Sequence, residues 1–292
     1  MRQVLVLGGT RFFGKKLVER LLEAGDEVTI VTRGAHAHPF GERVKHLKVD
    51  RTDAEQLATA IGEARYDVVY DNICYMPKEA EESVKLFAGR AGKYIVTSTL
   101  SVYPFGEPRK TEAFFDSQTY PIPKPYPDDI HYGEGKRLVE AVFFQKASFP
   151  VAAVRFPIVL GEDDYTRRLH FHVEHVQQGL PLGIPNADAA MSFIDADEAA
   201  SFLDWLGRTP EATGPFNACS RGEISPGAIV ALIEQATGKT AYVALETDEP
   251  HSSPFGVPEP WYMDIAKAEE AGYRFRELTD WLPPLIAKLA SE

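Results

Sequence analysis

The chain has 292 residues, 44% hydrophobic and 25% charged, which supplies a sizeable core and matches an ordinary soluble globular protein. Its 43 acidic against 31 basic side chains leave a net charge of −12, which repels phosphate backbones and anionic membrane surfaces and so disfavours nucleic-acid partners. No apolar run approaches the ~20 residues of a membrane span, and two cysteines, Cys74 and Cys219, read as reduced thiols of a cytoplasmic protein.

Val4 to Leu7 is a short apolar run with β-branched members, which predicts a buried parallel strand. It begins near residue 3, which leaves no room for a signal peptide. Gly8 and Gly9 let the backbone turn sharply. Gly14 lets the following helix pack closely on the strand and aim its N-terminal amides at an anion. Leu17, Val18, Leu21 and Leu22 form a helical apolar stripe, and Gly25 stands where a helix C-terminus wants positive φ. A second strand, Glu27 to Thr32, completes a strand–turn–helix–strand unit, the context in which such a glycine turn binds a dinucleotide.

Further strands are predicted at Val44 to Val49, Tyr66 to Asn72 and Lys93 to Ser98, with helices ending near Ala64 and spanning Lys78 to Arg90. This alternation predicts an α/β fold with a doubly wound parallel sheet and ligands beyond the strands' C-terminal ends. Phe105 to Asp128, rich in Pro and aromatic residues, reads as a long functional loop. A helix from about His131 to Ala147 and a strand Val151 to Phe156 follow. Beyond Gly161 the rhythm changes to short segments and one clear helix, Pro226 to Thr237. The expected division is a dinucleotide-binding domain over 1–160 and a smaller α/β substrate lobe over 161–292, with about 190–207 packing back on the first domain.

The second chemical signal is Tyr132-Gly-Glu-Gly-Lys136. Four residues apart on a helix, Tyr and Lys share a face. A free phenol titrates near ~10, and a neighbouring ammonium would lower that value toward useful acid–base chemistry. Gly133 and Gly135 each cost a helix ~1 kcal/mol relative to Ala, so close approach by a ligand or another backbone is expected there. Upstream, Val96-Thr97-Ser98-Thr99-Leu100-Ser101 sets hydroxyls at a strand's C-terminal edge.

In order along the chain stand Gly8-Gly-Thr-Arg-Phe-Phe-Gly14, Thr97-Ser-Thr-Leu-Ser-Val-Tyr103, Tyr132-x-x-x-Lys136, Arg155-Phe-Pro-Ile-Val-Leu-Gly161 and Phe193-Ile-Asp-Ala-Asp197. Together with Asp264-Ile-Ala-Lys267 and Ala271-Gly-Tyr273, these resemble the extended and atypical short-chain dehydrogenases/reductases of the NAD-dependent epimerase/dehydratase group. The resemblance implies a Rossmann sheet and puts the catalytic hydroxyl on Thr99, the tyrosine on Tyr132 and the lysine on Lys136. It implies that Tyr132 exchanges a proton with a substrate hydroxyl while nicotinamide C4 exchanges hydride, and that Lys136 also holds the nicotinamide ribose. Gly8, Gly9, Thr10, Arg11, Phe12, Phe13 and Gly14 would hold phosphates, Asp50 and Arg51 would meet adenine, and Asn72 and Thr97 would lie along the cofactor path. A homodimer is the family's usual assembly.

Two departures sharpen the expectation. Arg11 replaces the family's middle glycine, and Thr32-Arg33 replaces the acid that binds the 2′-hydroxyl of NAD, so NADP is favoured over NAD. The asparagine and arginine with which nucleotide-sugar epimerases hold a diphosphate align with Ile158 and Met191, which weighs against that substrate. Elsewhere, the spacing of His170, His172 and His175 does not give three ligands on one helical face, so surface and packing roles are expected. Arg167 and Arg168 could meet an anionic substrate, although a solvated helix start is the simpler reading, and Cys74 reads as an inert buried thiol. The reading is an NAD(P)-dependent oxidoreductase, epimerase or dehydratase acting on a hydroxyl or carbonyl of a small, sugar-like molecule. Its rival is a non-catalytic regulatory or RNA-associated NAD(P)-binding member of the same group.

Overall fold

The computed structural model describes residues 1–35 and 37–292. The first half runs β1 (Gln3–Leu7), α1 (Phe12–Glu23), β2 (Glu27–Thr32), β3 (Val44–Lys48), α2 (Ala54–Ile61), β4 (Tyr66–Asp71), α3 (Pro77–Phe87), β5 (Ala91–Thr99), α4 (Tyr132–Lys146) and β6 (Val151–Phe156). The second half adds β7 (Ile158–Leu160), α5 (Arg168–Gln178), β8 (Pro181–Gly183), β9 (Phe193–Asp195), α6 (Ala196–Arg208), β10 (Gly214–Asn217), α7 (Pro226–Thr237), β11 (Tyr242–Ala244), α8 (Ala266–Glu270) and α9 (Leu278–Ala290).

Seven strands form the main sheet in the order β10-β6-β5-β4-β1-β2-β3, every pair parallel. Helices cover both faces, which is why Val4 to Leu7 is a continuous apolar run rather than an alternating one. On one face α1 and α6 pack over Val4, Val6, Val68 and Tyr70. On the other, Leu57 and Ile61 of α2, Ala80 and Phe87 of α3, and Val139, Val142 and Phe143 of α4 pack over Leu5, Leu7 and Val69. The strand order reverses between β1 and β4, and that reversal opens the crevice in which such sheets bind ligands.

Local signals set the element ends. Gly25 has φ +79° just past α1, and the Asp53 carboxylate accepts from Gln56 N at 3.0 Å to start α2. The seventh strand, β10, is not evident from the sequence. Its Gly214-Pro215 start argues against a strand, yet it lies at the sheet edge, where proline is tolerated. A second core joins Leu169 and Val173 of α5, Ile229 and Ile233 of α7, and Leu282 and Ile286 of α9. The pairs β8–β11 and β7–β9 flank that core.

The long loop after β5 is fastened by a buried polar network. Arg155, fully buried, pairs with fully buried Glu140 at 2.6 Å and donates to the Tyr103 hydroxyl at 2.7 Å. It also donates to the carbonyls of Glu112 and Phe115, each at 3.0 Å. The Tyr103 hydroxyl in turn donates to Asn217 Oδ1 at 2.7 Å, and Asn217 Nδ2 donates to the carbonyls of Lys110 and Asp264. One guanidinium thus ties sheet, helix and loop together, and each of its three nitrogens has an acceptor.

Candidate active site

Two adjoining hollows lie at the strands' C-terminal ends. The first is a groove of about 450 Å³ over β1 and β2. Its floor is main chain. Gly8 has φ +84°, and a Cβ there would come 2.6 Å from Ile73 Cγ2. A Cβ on Gly14 would run into the carbonyl oxygen of Gly8, so only glycine lets α1 sit this close. Gly9 stands behind the groove, where a Cβ would meet Val18 at 2.8 Å. Phe12 is held at φ +49°, a strained value for a bulky side chain and of the kind found where a turn is built for a ligand. The first turn of α1 has no acidic residue and no side-chain cap, so its amides stay open to an anion. This combination fits a dinucleotide pyrophosphate.

Thr10, Arg11, Phe13, Arg33, Asp50, Arg51 and Asn72 also line the groove, although not all are free for a ligand. Arg51 lines the groove but is buried, its guanidinium ion-paired with Asp71 and 3.3 Å from Glu79. The reason is electrostatic: fully buried Asp71 needs a cation, and the Tyr94 hydroxyl, donating at 2.7 Å, does not supply one. Asp50 accepts from Thr52 N at 2.9 Å and Thr52 Oγ1 at 2.8 Å, a turn role at the groove's edge. Arg11 is exposed and its guanidinium stacks 3.9 Å from the centre of the Tyr165 ring. Asn72 accepts from Thr97 Oγ1 at 2.8 Å, while its buried amide nitrogen has no partner among the described residues.

The second hollow, about 290 Å³, gathers Thr97, Thr99, Ser101, Tyr132 and Lys136. Phe12, Phe13, Asn72, Tyr75 and Tyr165 line both hollows, so the two communicate. The helical glycines of α4 are explained by backbone approach. A Cβ on Gly133 would lie 2.6 Å from Ser101 O, and one on Gly135 2.7 Å from Tyr75 O. The helix therefore rests directly on the loops that follow β4 and β5.

Thr99 Oγ1 faces Ser101 Oγ at 3.2 Å and accepts from Ser101 N at 3.1 Å, capping a short turn. Lys136 is 1% exposed and donates to the carbonyls of Cys74 at 2.7 Å and Thr97 at 2.8 Å. Two of its three N–H donors are thereby used. Burial lowers its pKa to about 8. Tyr132 is half-exposed, yet its desolvating surroundings raise the phenol above its ordinary value, opposed by the Thr99 hydroxyl and the charge of Arg168. Lys136 is not among the groups that set the phenol's direction here. A buried ammonium seeks acceptors, and the carbonyls below hold it 5.9 Å from the centre of the Tyr132 ring.

The far wall includes Ile158, Tyr165, Arg168 and Trp261, and of these Tyr165 and Trp261 escaped sequence reasoning, because their segments carry no chemical signal of their own. Arg168, expected as solvated surface, is half-buried in this wall. His170, His172 and His175 are all buried, and His172 Nε2 meets Ser253 Oγ at 2.7 Å. Among the described residues no group of three His, Cys, Asp or Glu is arranged to hold a metal. Cys74 is fully buried, and burial pushes its thiol well up, as an inert thiol should be. Met191 is buried in the second core, and among the described residues no helix is long and apolar enough to cross a membrane.

A glycine turn under a helix start thus stands beside a cavity of strand-end hydroxyls and a Tyr–Lys pair. The NAD dependent epimerase/dehydratase family model matches residues 4–219, and the chain belongs to that family. Among curated relatives it is 26% identical over 235 residues to the chloroplast stem-loop binding protein of 41 kDa b of Arabidopsis thaliana, covering 74% of this chain and 58% of the relative. The chain spans just over half the length of the curated relatives it matches. Among solved structures it is similar to the UDP-glucose 4-epimerase of Thermus thermophilus in complex with NAD, with TM-score 0.73, 19% identity and 98% of each chain covered. It is likewise similar to the Bordetella bronchiseptica enzyme WbmG in complex with NAD and UDP, with TM-score 0.71, 18% identity, and 99% of this chain and 94% of that one covered.

Proposed function

We propose that this protein is an NAD(P)-dependent oxidoreductase, epimerase or dehydratase acting on a hydroxyl or carbonyl of a small, sugar-like substrate, with Thr99, Tyr132 and Lys136 as its catalytic set. The observation that carries the reading is the convergence of these three side chains on one cavity that shares five lining residues with the glycine-turn groove. In this reading residues 1–160 bind the dinucleotide and 161–292 supply the substrate-side wall, except that α6, β10 and the segment from Ala268 to Phe275 join the first sheet and core.

Gly8, Gly14 and the amides of α1 would hold the pyrophosphate, the third N–H of Lys136 would reach the ribose, and Asn72 Nδ2 would gain an acceptor. NAD(P), when bound, supplies a hydride acceptor and donor at its nicotinamide. The protein's own part is proton transfer. Tyr132 carries its proton at neutral pH, as a phenol titrating near ~10 or above does, so it is poised to donate to a substrate carbonyl oxygen. In the reverse direction it takes the proton of a hydroxyl, with Thr99 positioned to bond the same oxygen. NADP is favoured over NAD because Arg33 is exposed in the groove and β2 ends without a carboxylate.

The test is Tyr132→Phe, which deletes one hydroxyl. Substrates are first sought by cofactor fluorescence and, for redox-neutral reactions, by product mass. Turnover should fall by about 10²–10⁴ with dinucleotide affinity retained; near-unchanged turnover would defeat the assignment. The stem-loop binding relative favours a second reading, an RNA-associated role. The charge of −12 argues against it. Measured affinity for a structured RNA at physiological salt, together with no turnover of any substrate, would reverse the preference.

A further inference from the structure

Arg168 is a cation in the cavity wall that no other described group neutralises. It opens α5, half-buried, in the wall shared with Thr99, Ser101 and Tyr132. Among the described residues its guanidinium makes no ion pair and no hydrogen bond, whereas its neighbour Arg167 is paired with Glu174. Asp164, the acid nearest in the chain, is already engaged. Its Oδ1 accepts from Thr166 N at 2.9 Å and Thr166 Oγ1 at 2.6 Å, and its Oδ2 from the backbone N of Arg168 at 3.4 Å. Lys136, the other cation of the cavity, is satisfied by two carbonyls.

The position of Arg168 is unfavourable without a ligand. The first residue of a helix meets the positive end of its dipole, where a cation is disfavoured. Phe156, Pro157, Ile158 and Val159 line the same cavity and make it partly apolar, which weakens hydration of the charge. Trp261 lines this cavity too, and its buried indole N–H has no acceptor among the described residues. The Arg168 guanidinium thus stands in this wall with no described oxygen to accept from it.

We propose that Arg168 is the specificity residue of this cavity, binding a carboxylate or phosphate carried by the substrate itself while the reacting hydroxyl or carbonyl lies at Tyr132. The inference rests on the reading of this cavity as the reaction site. The volume of about 290 Å³ suits a small acid or monophosphate. Guanidinium bonds such groups with two parallel N–H donors, which selects planar or tetrahedral oxyanions over neutral hydroxyls.

The experiment compares three panels: neutral sugars and polyols, the corresponding monophosphates, and the corresponding sugar acids. Binding is measured by calorimetry to the NADP-loaded Tyr132→Phe chain, and turnover is measured with the wild-type chain. At least one anionic panel should bind and its neutral counterpart should not; the panel that binds tells phosphate from carboxylate. Arg168→Met should weaken that binding about 10- to 100-fold, the scale of a charge-assisted hydrogen bond. Arg168→Lys should recover part of the loss, and NADP affinity should stay unchanged in both. In turnover the Arg168→Met effect should fall mainly on KM. Neutral members binding as well as anionic ones, no anionic member binding, or unchanged affinity in Arg168→Met would each overturn the inference. If anionic members bind through Arg168 but none is turned over, the site stands and the enzymatic reading falls.

Discussion

The groove and the cavity beside it are built from different materials. The groove is made of main chain: glycines at Gly8 and Gly14, a strained turn at Phe12, and a helix start with open amides. The cavity is made of side chains brought from β5, α4, the start of α5 and the segment around Trp261, and it holds its shape through buried polar bonds. A main-chain site tolerates almost any side-chain change that leaves its turn intact. A side-chain site depends on every fastening that keeps distant segments in register. Lys136 and Arg168 make the same contrast on a smaller scale: one cation is fixed by two carbonyls, and the other lines the cavity without a described acceptor.

The largest effect should come from cutting a fastening. Glu140→Leu leaves Arg155 buried without its carboxylate and Ser98 without its acceptor. Breaking such a pair from one side costs about 3–5 kcal/mol, which urea denaturation would read as a fall in midpoint. Any substrate turnover should fall further than dinucleotide affinity, because the network holds the loop and not the glycine turn. Equal loss of both would erase the distinction between the two hollows.

Lys136 gives a pH test of nearly the same size. Its folded pKa, about 8, lies below the ordinary 10.5. Between those values the unfolded chain binds more protons than the folded one, so stability must rise with pH across that window. The wild-type chain should therefore gain on Lys136→Met, by an amount on the order of 3 kcal/mol at 1.36 kcal/mol per unit, as pH goes from 8 to 10.5. Unfolding free energies of both chains measured across that range check it. A flat difference would mean that the ammonium is not desolvated as its contacts imply.

Gly14→Val attacks the main-chain site. Its Cβ would strike Gly8 O, and overpacking of this kind costs about 1–3 kcal/mol. Dinucleotide affinity should drop about tenfold or more, while the second core, some distance along the chain, stays folded. Calorimetry with circular dichroism on the same sample separates the two. Unchanged affinity in a folded variant would refute the groove. The smallest effect concerns Arg33, exposed in the groove and screened by solvent. Affinity for NADP should exceed that for NAD by about tenfold, or ~1.4 kcal/mol, and Arg33→Asp should abolish the preference.

By itself the sequence determined the alternating sheet, the glycine turn with Gly14 tight against Gly8, and the Tyr132–Lys136 pair facing the strand-end hydroxyls. These are legible because a turn, a cap or a helical face depends on residues within a few positions of one another. Tertiary structure alone decided that Arg51 serves Asp71, that Lys136 bonds the carbonyls of Cys74 and Thr97, and that Arg168 and Trp261 complete the cavity. It also decided that Gly214-Pro215 could begin a strand, since only the sheet edge forgives the missing donor. Partners for a buried charge are chosen by whichever acceptors the packed chain brings near, and for Arg51 and Asp71 those lie 20 positions apart in sequence. No local pattern encodes that choice, because the free energy that makes it, desolvation against a paired charge, exists only once the chain is folded.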